Sequence, residues 1–129
     1  MAWLPQNVNI LGSINIGFTI SEIFNYSNNL KFKPDDKEIE NNLNMLGLDK
    51  DILNQAFDTI SGGEKQRIGL MIAKLLGRKL LLLDEPTSAL DQDLIGQAIE
   101  YINPDKSTTV ISVSHDHRWI QSSDKIIEL

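Results

Sequence analysis

The chain has 129 residues, a formal net charge of −6 at pH 7 and no cysteine. That length allows one domain with a hydrophobic core, and the acidic balance argues against a broad surface for nucleic acid or anionic membranes. The lack of cysteine excludes a disulfide scaffold and a thiolate metal site.

Neither a membrane helix nor a signal peptide is predicted. The longest apolar runs of the chain are far shorter than the ~20 residues that a membrane helix requires. Met1 leads into Pro5-Gln6-Asn7 rather than into the basic and apolar start of a signal peptide. We therefore expect a cytosolic protein, in which residues 1–17 form the end of a strand and a loop.

A helical region is predicted to follow. Thr19 or Ser21 is placed to cap a first short helix. A second helix is predicted from residue 35, because acidic side chains favour its N-terminus, and Gly47 is expected to end it. Residues 49–57 are predicted to form another short helix.

The triplet Ser61-Gly62-Gly63 stands directly before a long helix that is predicted over residues 64–76. Glycines let a ligand approach the backbone closely, and the positive end of the helix dipole favours an anion. The triplet is therefore a candidate phosphate site. The alternative is a plain N-cap, in which Ser61 satisfies the first turn and the glycines serve only as a flexible joint.

Four leucines at residues 80–83 are followed by Asp84, Glu85 and Pro86. A continuous apolar run predicts a parallel strand that is covered on both faces, and ligands bind at the carboxyl ends of such strands. Asp84 is then placed to hold Mg²⁺, which prefers oxygen ligands, and Glu85 is placed to polarise a water molecule. The alternative is an ordinary strand with a polar end.

The C-terminal half alternates between strands and helices. A helix is predicted over residues 90–102, a strand over 108–114, a short helix over 116–122 and a strand over 125–129. Such alternation predicts an α/β fold with a parallel sheet and right-handed crossovers.

The order of these segments resembles the ATPases of the ATP-binding-cassette (ABC) family, across the whole chain. Residues 60–67 resemble the family's signature motif, and residues 80–85 resemble its Walker B strand. Residues 88–91 resemble its D-loop, His115 its switch histidine and Gln6 its Q-loop glutamine. The departures from the family pattern, among them Ile60 for leucine and Glu64 for glutamine, are conservative.

The resemblance implies ATP and Mg²⁺ as cofactors and gives the following roles. Asp84 and Gln6 would bind the metal, Glu85 would orient or deprotonate the attacking water, and His115 would bind the γ-phosphate and link it to Glu85. The residues that would contact ATP or act across a dimer interface are Gln6, Ser61, Gly62, Gly63, Glu64 and Asp91.

The sequence given has no P-loop, Gly-x-x-x-x-Gly-Lys-[Ser/Thr], although the family requires one. Residues 12–19 have the glycine spacing, but Phe18 takes the place of the lysine, and we interpret them as a loop that enters the helical region. The chain therefore resembles the C-terminal two-thirds of a nucleotide-binding domain. It divides into a Q-loop strand and loop (1–17), a helical subdomain (18–76), and the Walker B, D-loop and switch part of a P-loop NTPase-type core without its P-loop strand (77–129).

The implied function is ATP binding and hydrolysis that powers membrane transport, with the chain alone inactive. The alternatives are a non-catalytic partner that supplies its signature motif to another chain's ATP site, and a translation-associated ABC ATPase. The implied partners are a transporter membrane domain and a second ABC ATPase domain, identical or different, without nucleic acid. The chain would then lie in the cytoplasm, at the inner face of the cell membrane.

Overall fold

A computed structural model describes residues 1–9, 12–103 and 106–128. The strands are β1 (Ala2–Leu4), β2 (Leu80–Asp84) and β3 (Thr109–Val113). The α-helices are α1 (Ile16–Asn25), α2 (Asp36–Met45), α3 (Gly62–Leu75), α4 (Gln92–Ile102) and α5 (His117–Gln121). Short 3₁₀ helices cover Leu30–Phe32, Lys50–Asn54 and Phe57–Thr59.

The described strands form one three-stranded sheet in the order β1-β2-β3, and both pairs are parallel. Trp3 pairs with Leu82, which in turn pairs with Ile111. The four leucines therefore lie in the central strand, and the predicted α/β fold with a parallel sheet is confirmed.

The two faces of the sheet differ in their surroundings. Leu4, Leu81 and Leu83 are buried against the helices, where the core of the described chain lies. On the opposite face, Trp3 is 65% exposed and Ile111 is 56% exposed. The predicted covering of the leucine strand on both faces is therefore not found, because the described helices pack on one face of the sheet.

The first helix begins earlier than the sequence predicts. The side chain of Asn15 accepts a hydrogen bond from the N–H of Phe18 at 3.0 Å and so caps α1. Thr19, one of the two predicted caps, is buried in the first turn instead. The prediction was wrong because an asparagine in a turn caps a helix as well as a threonine or serine does.

The predicted second helix is confirmed as α2. Asp35 caps it by accepting a hydrogen bond from the N–H of Glu38 at 2.7 Å. Gly47 ends it in the left-handed region, with φ +66°. The short helix predicted over 49–57 is a 3₁₀ helix that covers only Lys50–Asn54, and a separate 3₁₀ helix at Phe57–Thr59 begins where the predicted segment ends.

The C-terminal segment also departs from its prediction. Residues 125–128 form no strand, and Leu129 lies outside the described residues. The apolar side chains of Ile126 and Ile127 are exposed, so hydrophobicity alone does not place this segment in the described sheet. A strand also needs a neighbour with which its backbone can form hydrogen bonds.

Candidate functional site

The predicted catalytic residues Glu85 and His115 meet at the carboxyl edge of the sheet. Glu85 directly follows β2, and His115 lies just beyond β3. The Glu85 Oε1 and His115 Nε2 atoms are 3.5 Å apart, and the backbone N–H of His115 donates to Glu85 Oε2 at 3.3 Å. The His115 side chain is 95% exposed, so it can contact a ligand outside the chain while it stays beside the carboxylate.

Glu85 adopts an uncommon backbone conformation. Its φ is +46°, and it is the one non-glycine residue with positive φ in the described part of the chain. Such a conformation costs about 1–3 kcal/mol and persists where the surroundings impose it. The N–H of Glu85 donates to the Val113 carbonyl at 2.8 Å, and its own carbonyl accepts from the Ser88 N–H at 3.2 Å. The turn after β2 is therefore held from both sides.

Asp84 is half-buried at the end of β2, and its carboxylate has no hydrogen bond or ion pair within the described residues. A half-buried carboxylate without a partner suits a cation. No group of three or more acidic or histidine side chains that could hold a metal is found in the described ranges. Mg²⁺ bound with a nucleotide needs only one or two protein carboxylates, because water and phosphate oxygens complete its shell. Asp84 therefore fits one position in such a shell.

Gln6, the second predicted metal ligand, is exposed and lines a cavity of about 250 Å³. This cavity joins the segment after β1, the first turns of α3 and the turn after β2. Its lining residues are Gln6, Asn7, Val8, Gly62, Lys65, Gln66, Ser88 and Ala89. Gln6 and the signature residue Gly62 thus line the same cavity, and no hydrogen bond within the described residues joins Gln6 to Asp84.

Ser61 is the N-cap of α3, and its Oγ accepts a hydrogen bond from the N–H of Glu64 at 3.2 Å. The two glycines that follow differ in what they contact. A Cβ at Gly63 would lie 2.8 Å from the Ala89 carbonyl oxygen, whereas a Cβ at Gly62 would meet nothing nearer than 3.7 Å. Gly63 is therefore required by packing within the chain. Gly62 has room for a side chain.

Asp91 caps α4, since its Oδ1 accepts a hydrogen bond from the N–H of Leu94 at 3.0 Å. The residue is exposed, and its second carboxylate oxygen has no hydrogen bond in the described part of the chain. The structure therefore gives Asp91 a role in the fold. Its predicted action across a dimer interface stays a prediction.

The sequence analysis did not identify two residues of α3, Gln66 and Arg67, as site residues. Both are buried. Gln66 forms hydrogen bonds with the turn after β2. Arg67 donates from Nη1 to the Leu46 carbonyl at 2.9 Å and from Nε to the Gly63 carbonyl at 3.2 Å. Burial lowers the pKa of the Arg67 guanidinium, and the nearby carboxylates of Glu64 and Asp91 act in the opposite direction.

The sequence held a signal for Gln66. This residue precedes Gly69, Leu70 and Ala73 by three, four and seven positions, which is the spacing of one helix face, and all three are buried. A polar side chain at such a position must find hydrogen-bond partners, because a buried polar group without one is costly.

In the described ranges, no helix has both the length and the apolar character needed to cross a bilayer.

Comparison with solved structures identifies the fold. The structure aligns with the ATP-binding cassette MJ0796 in a dimeric post-hydrolysis state bound to ADP and Pi, with a TM-score of 0.75 and 22% identity over 95% of this chain and 55% of that chain. A second dimeric structure of MJ0796, described as a bacterial ABC transporter cassette, aligns with a TM-score of 0.76 and 21% identity, over 96% of this chain and 56% of that one.

Sequence comparison identifies the family. A protein of Staphylococcus aureus strain Newman, named "Putative hemin import ATP-binding protein HrtA", is 38% identical over 90 residues, or 67% of this chain and 40% of the relative. The same protein of strain USA300 matches equally. The chain thus spans about 40% of the length of these curated relatives. The profile of the ABC transporter family matches residues 1–88, more than half of the chain, and the chain therefore belongs to the ABC transporter family, with the fold of its ATP-binding cassettes.

Proposed function

We propose that this chain contributes Walker B, switch and signature residues to the ATP-hydrolysing sites that power an ABC transporter. The observation that carries the proposal is the contact between Glu85 and His115 at the sheet edge, next to the unpartnered carboxylate of Asp84. Phosphoryl transfer to water needs a group that positions the water, donors for the developing negative charge and a metal between the terminal phosphates. Glu85 supplies the first and His115 the second. Asp84 is a carboxylate that can bind the third.

Each of these side chains has a task that suits its chemistry. The Glu85 carboxylate orients the attacking water and accepts its proton, since it is held by a rigid turn and faces an exposed histidine. His115 donates a hydrogen bond toward the γ-phosphate while it keeps Glu85 in place. Asp84 and Gln6 are the residues that would hold Mg²⁺. When bound, that metal would offset the negative charge of the phosphates.

The signature residues act on ATP that is bound by a second ABC domain. Ser61, Gly62 and the helix N-terminus face outward, which leaves backbone N–H groups available to an anion. Packing within the chain leaves space for a side chain at Gly62. A glycine at this position is therefore explained by close contact with a ligand bound from outside the chain. Gly63, Glu64 and Asp91 complete this surface, and Asp91 contacts the partner domain. The related cassette MJ0796 is dimeric in its solved structures, which supports this arrangement.

The same proposal places the chain in the cytoplasm, at the inner face of the cell membrane. The helical subdomain at residues 18–76 docks onto a transporter membrane domain. The second ABC domain is a copy of this chain or a different subunit that carries a P-loop. This location is supported by the relatives named as import ATP-binding proteins.

The test is phosphate release from ATP and Mg²⁺ by the transporter complex purified through a tag on this chain. The change Glu85→Gln keeps the size of the side chain and removes its charge, so we expect turnover to fall by about 100-fold or more while the complex stays assembled. We expect no turnover from the chain alone. Unchanged turnover in the Glu85→Gln complex would contradict a catalytic role for this chain.

A second candidate function is favoured by one observation. The sequence given contains no P-loop, whereas its signature motif is present and Ser61 and Gly62 in that motif are exposed. The chain would then supply only the signature motif to another subunit's ATP. In that case Ser61→Ala would lower turnover and Glu85→Gln would not. Because Ser61→Ala also removes a helix cap, Asp35→Ala, which removes the cap of α2, is the matched control.

A further inference from the structure

The side chain of Gln66 joins the signature helix to the turn that carries Glu85. Gln66 is 2% exposed, and its amide contacts the turn after β2 through both of its ends. Nε2 donates to the Glu85 carbonyl at 2.8 Å and to Ser88 Oγ at 3.3 Å. Oε1 accepts from the backbone N–H of Ala89 at 3.0 Å. The amide orientation is determined by chemistry, since a backbone N–H can only donate and a carbonyl can only accept.

Gln66 contacts the turn at Glu85, the residue whose backbone is strained. Glu85 has φ +46°, a conformation that persists only where neighbouring groups impose it. Its N–H is bonded to Val113 on the neighbouring strand. Its carbonyl is bonded to Gln66 on α3, from 19 positions earlier in the chain. The direction of the Glu85 side chain therefore depends on a helix that lies outside the sheet.

A second contact fixes the same two segments. The Ala89 carbonyl approaches Gly63 so closely that a Cβ there would lie 2.8 Å away. Gly63 and Gln66 are three residues apart on α3, on one face of the helix. The N-terminus of α3 and the turn after β2 therefore form one rigid unit, in which Gln66 supplies the hydrogen bonds and Gly63 supplies the close approach.

We infer that Gln66 is a positioning residue for ATP hydrolysis. It fixes the position of the Glu85 carboxylate relative to the N-terminus of α3, which carries the signature residues. The inference rests on the proposed function of this site. Gln66 does not contact the nucleotide. It sets the position of the general base relative to the residues that bind the partner's ATP, so that the two change position together. Loss of the amide should slow the chemical step and leave the affinity for ATP almost unchanged.

The experiment compares Gln66→Met and Gln66→Glu with the unsubstituted transporter complex, purified through a tag on this chain. The methionine has similar length and no hydrogen-bonding amide. The glutamate keeps an acceptor for Ala89 and loses the donor to Glu85. For both variants we expect kcat to fall by about tenfold or more, with KM for ATP within about twofold of its original value.

Two controls separate positioning from loss of stability. Ile72→Val alters a buried side chain of the same helix, six residues after Gln66, and it shows how far destabilisation alone lowers kcat. Hydrogen exchange at the Ala89 amide, measured in the complex, should become faster in Gln66→Met and stay slow in Gln66→Glu. A kcat in both Gln66 variants equal to that of Ile72→Val would overturn the inference.

The failure of the proposed function gives a different result. If the unsubstituted complex shows no turnover that depends on Glu85, the proposed function is wrong and this inference falls with it. If that turnover is present and insensitive to Gln66, only the inference is wrong. Fast exchange at Ala89 in the unsubstituted complex would also overturn it, because the hydrogen bond to Gln66 would then not hold the turn.

Discussion

Gly63 and Ala89 approach each other so closely that the space between them excludes a methyl group: a Cβ at position 63 would lie 2.8 Å from the Ala89 carbonyl oxygen. Its neighbour Gly62 has no such restriction. Two adjacent glycines of one motif are therefore glycine for different reasons. One is required by the fold, and the other is available to a ligand.

This difference predicts opposite effects of the same change at the two positions. Gly62→Ala should leave the free energy of unfolding unchanged or raise it by about 0.4–1 kcal/mol, because alanine restricts the unfolded chain. Gly63→Ala should lower it by about 1–3 kcal/mol through overpacking against Ala89. Urea denaturation of the two variants measures both values. Equal losses of stability would contradict the separate roles.

The same pair tests the site. In the transporter complex, Gly62→Ala should lower ATP turnover although the chain is folded, because the added methyl group stands where the nucleotide approaches. If Gly62→Ala has normal turnover, the proposed contact with the partner's ATP at this residue is wrong.

A second prediction concerns the strain at Glu85. Glycine adopts positive φ without steric cost, so Glu85→Gly should raise the free energy of unfolding by about 1 kcal/mol while it removes the catalytic carboxylate. Ala89→Gly, in the same turn but with no positive φ, should lower that free energy by about 0.4–1 kcal/mol. Urea denaturation at fixed protein concentration compares them. A loss of stability in both variants would show that the turn is not strained.

A third prediction is a dependence of stability on pH. Burial raises the pKa of Tyr101 above its ordinary value of 10.0, and Glu38 adds to the shift. The folded chain therefore keeps a phenol proton that the unfolded chain loses above about pH 10, and the free energy of unfolding should fall as the pH rises beyond that value. Below about pH 10 this group contributes its full stabilisation.

The variant Tyr101→Phe measures this effect. At neutral pH it should be less stable by about 1 kcal/mol, since the phenol donates a hydrogen bond to Asn42 Oδ1 at 2.7 Å. That deficit should shrink as the pH approaches about 11, because the substituted chain has lost this titration. Tyr26→Phe, at an exposed position, is the control. A deficit that is constant with pH would refute the assignment.

Much of the fold could be predicted because its signals are local. The leucine run predicted β2, the aspartate at position 35 predicted the start of α2, and the order of the motifs predicted a sheet edge where Glu85 and His115 meet. Parallel strands bring their carboxyl ends to one edge, so two residues 30 positions apart became neighbours through a general rule of topology.

The remaining features depend on contacts that no local pattern contains. The hydrogen bonds of Gln66 connect residues 19 to 23 positions apart, and the helix face on which it lies gave only a hint of its burial. The early start of α1 depends on which of several polar residues became the cap. The exposed segment at 125–128 depends on a strand neighbour, which an apolar sequence cannot supply by itself.

The exposed row of Trp3 and Ile111, with Leu82 between them, has a consequence for any measurement of stability. An apolar sheet face that meets water is a surface on which association lowers the free energy, so the melting temperature of the chain should rise with its concentration or with any protein that covers this face. The measured melting temperature then depends on this association as well as on the chain itself. The fluorescence of Trp3 reports it directly, because covering the face removes that indole from water.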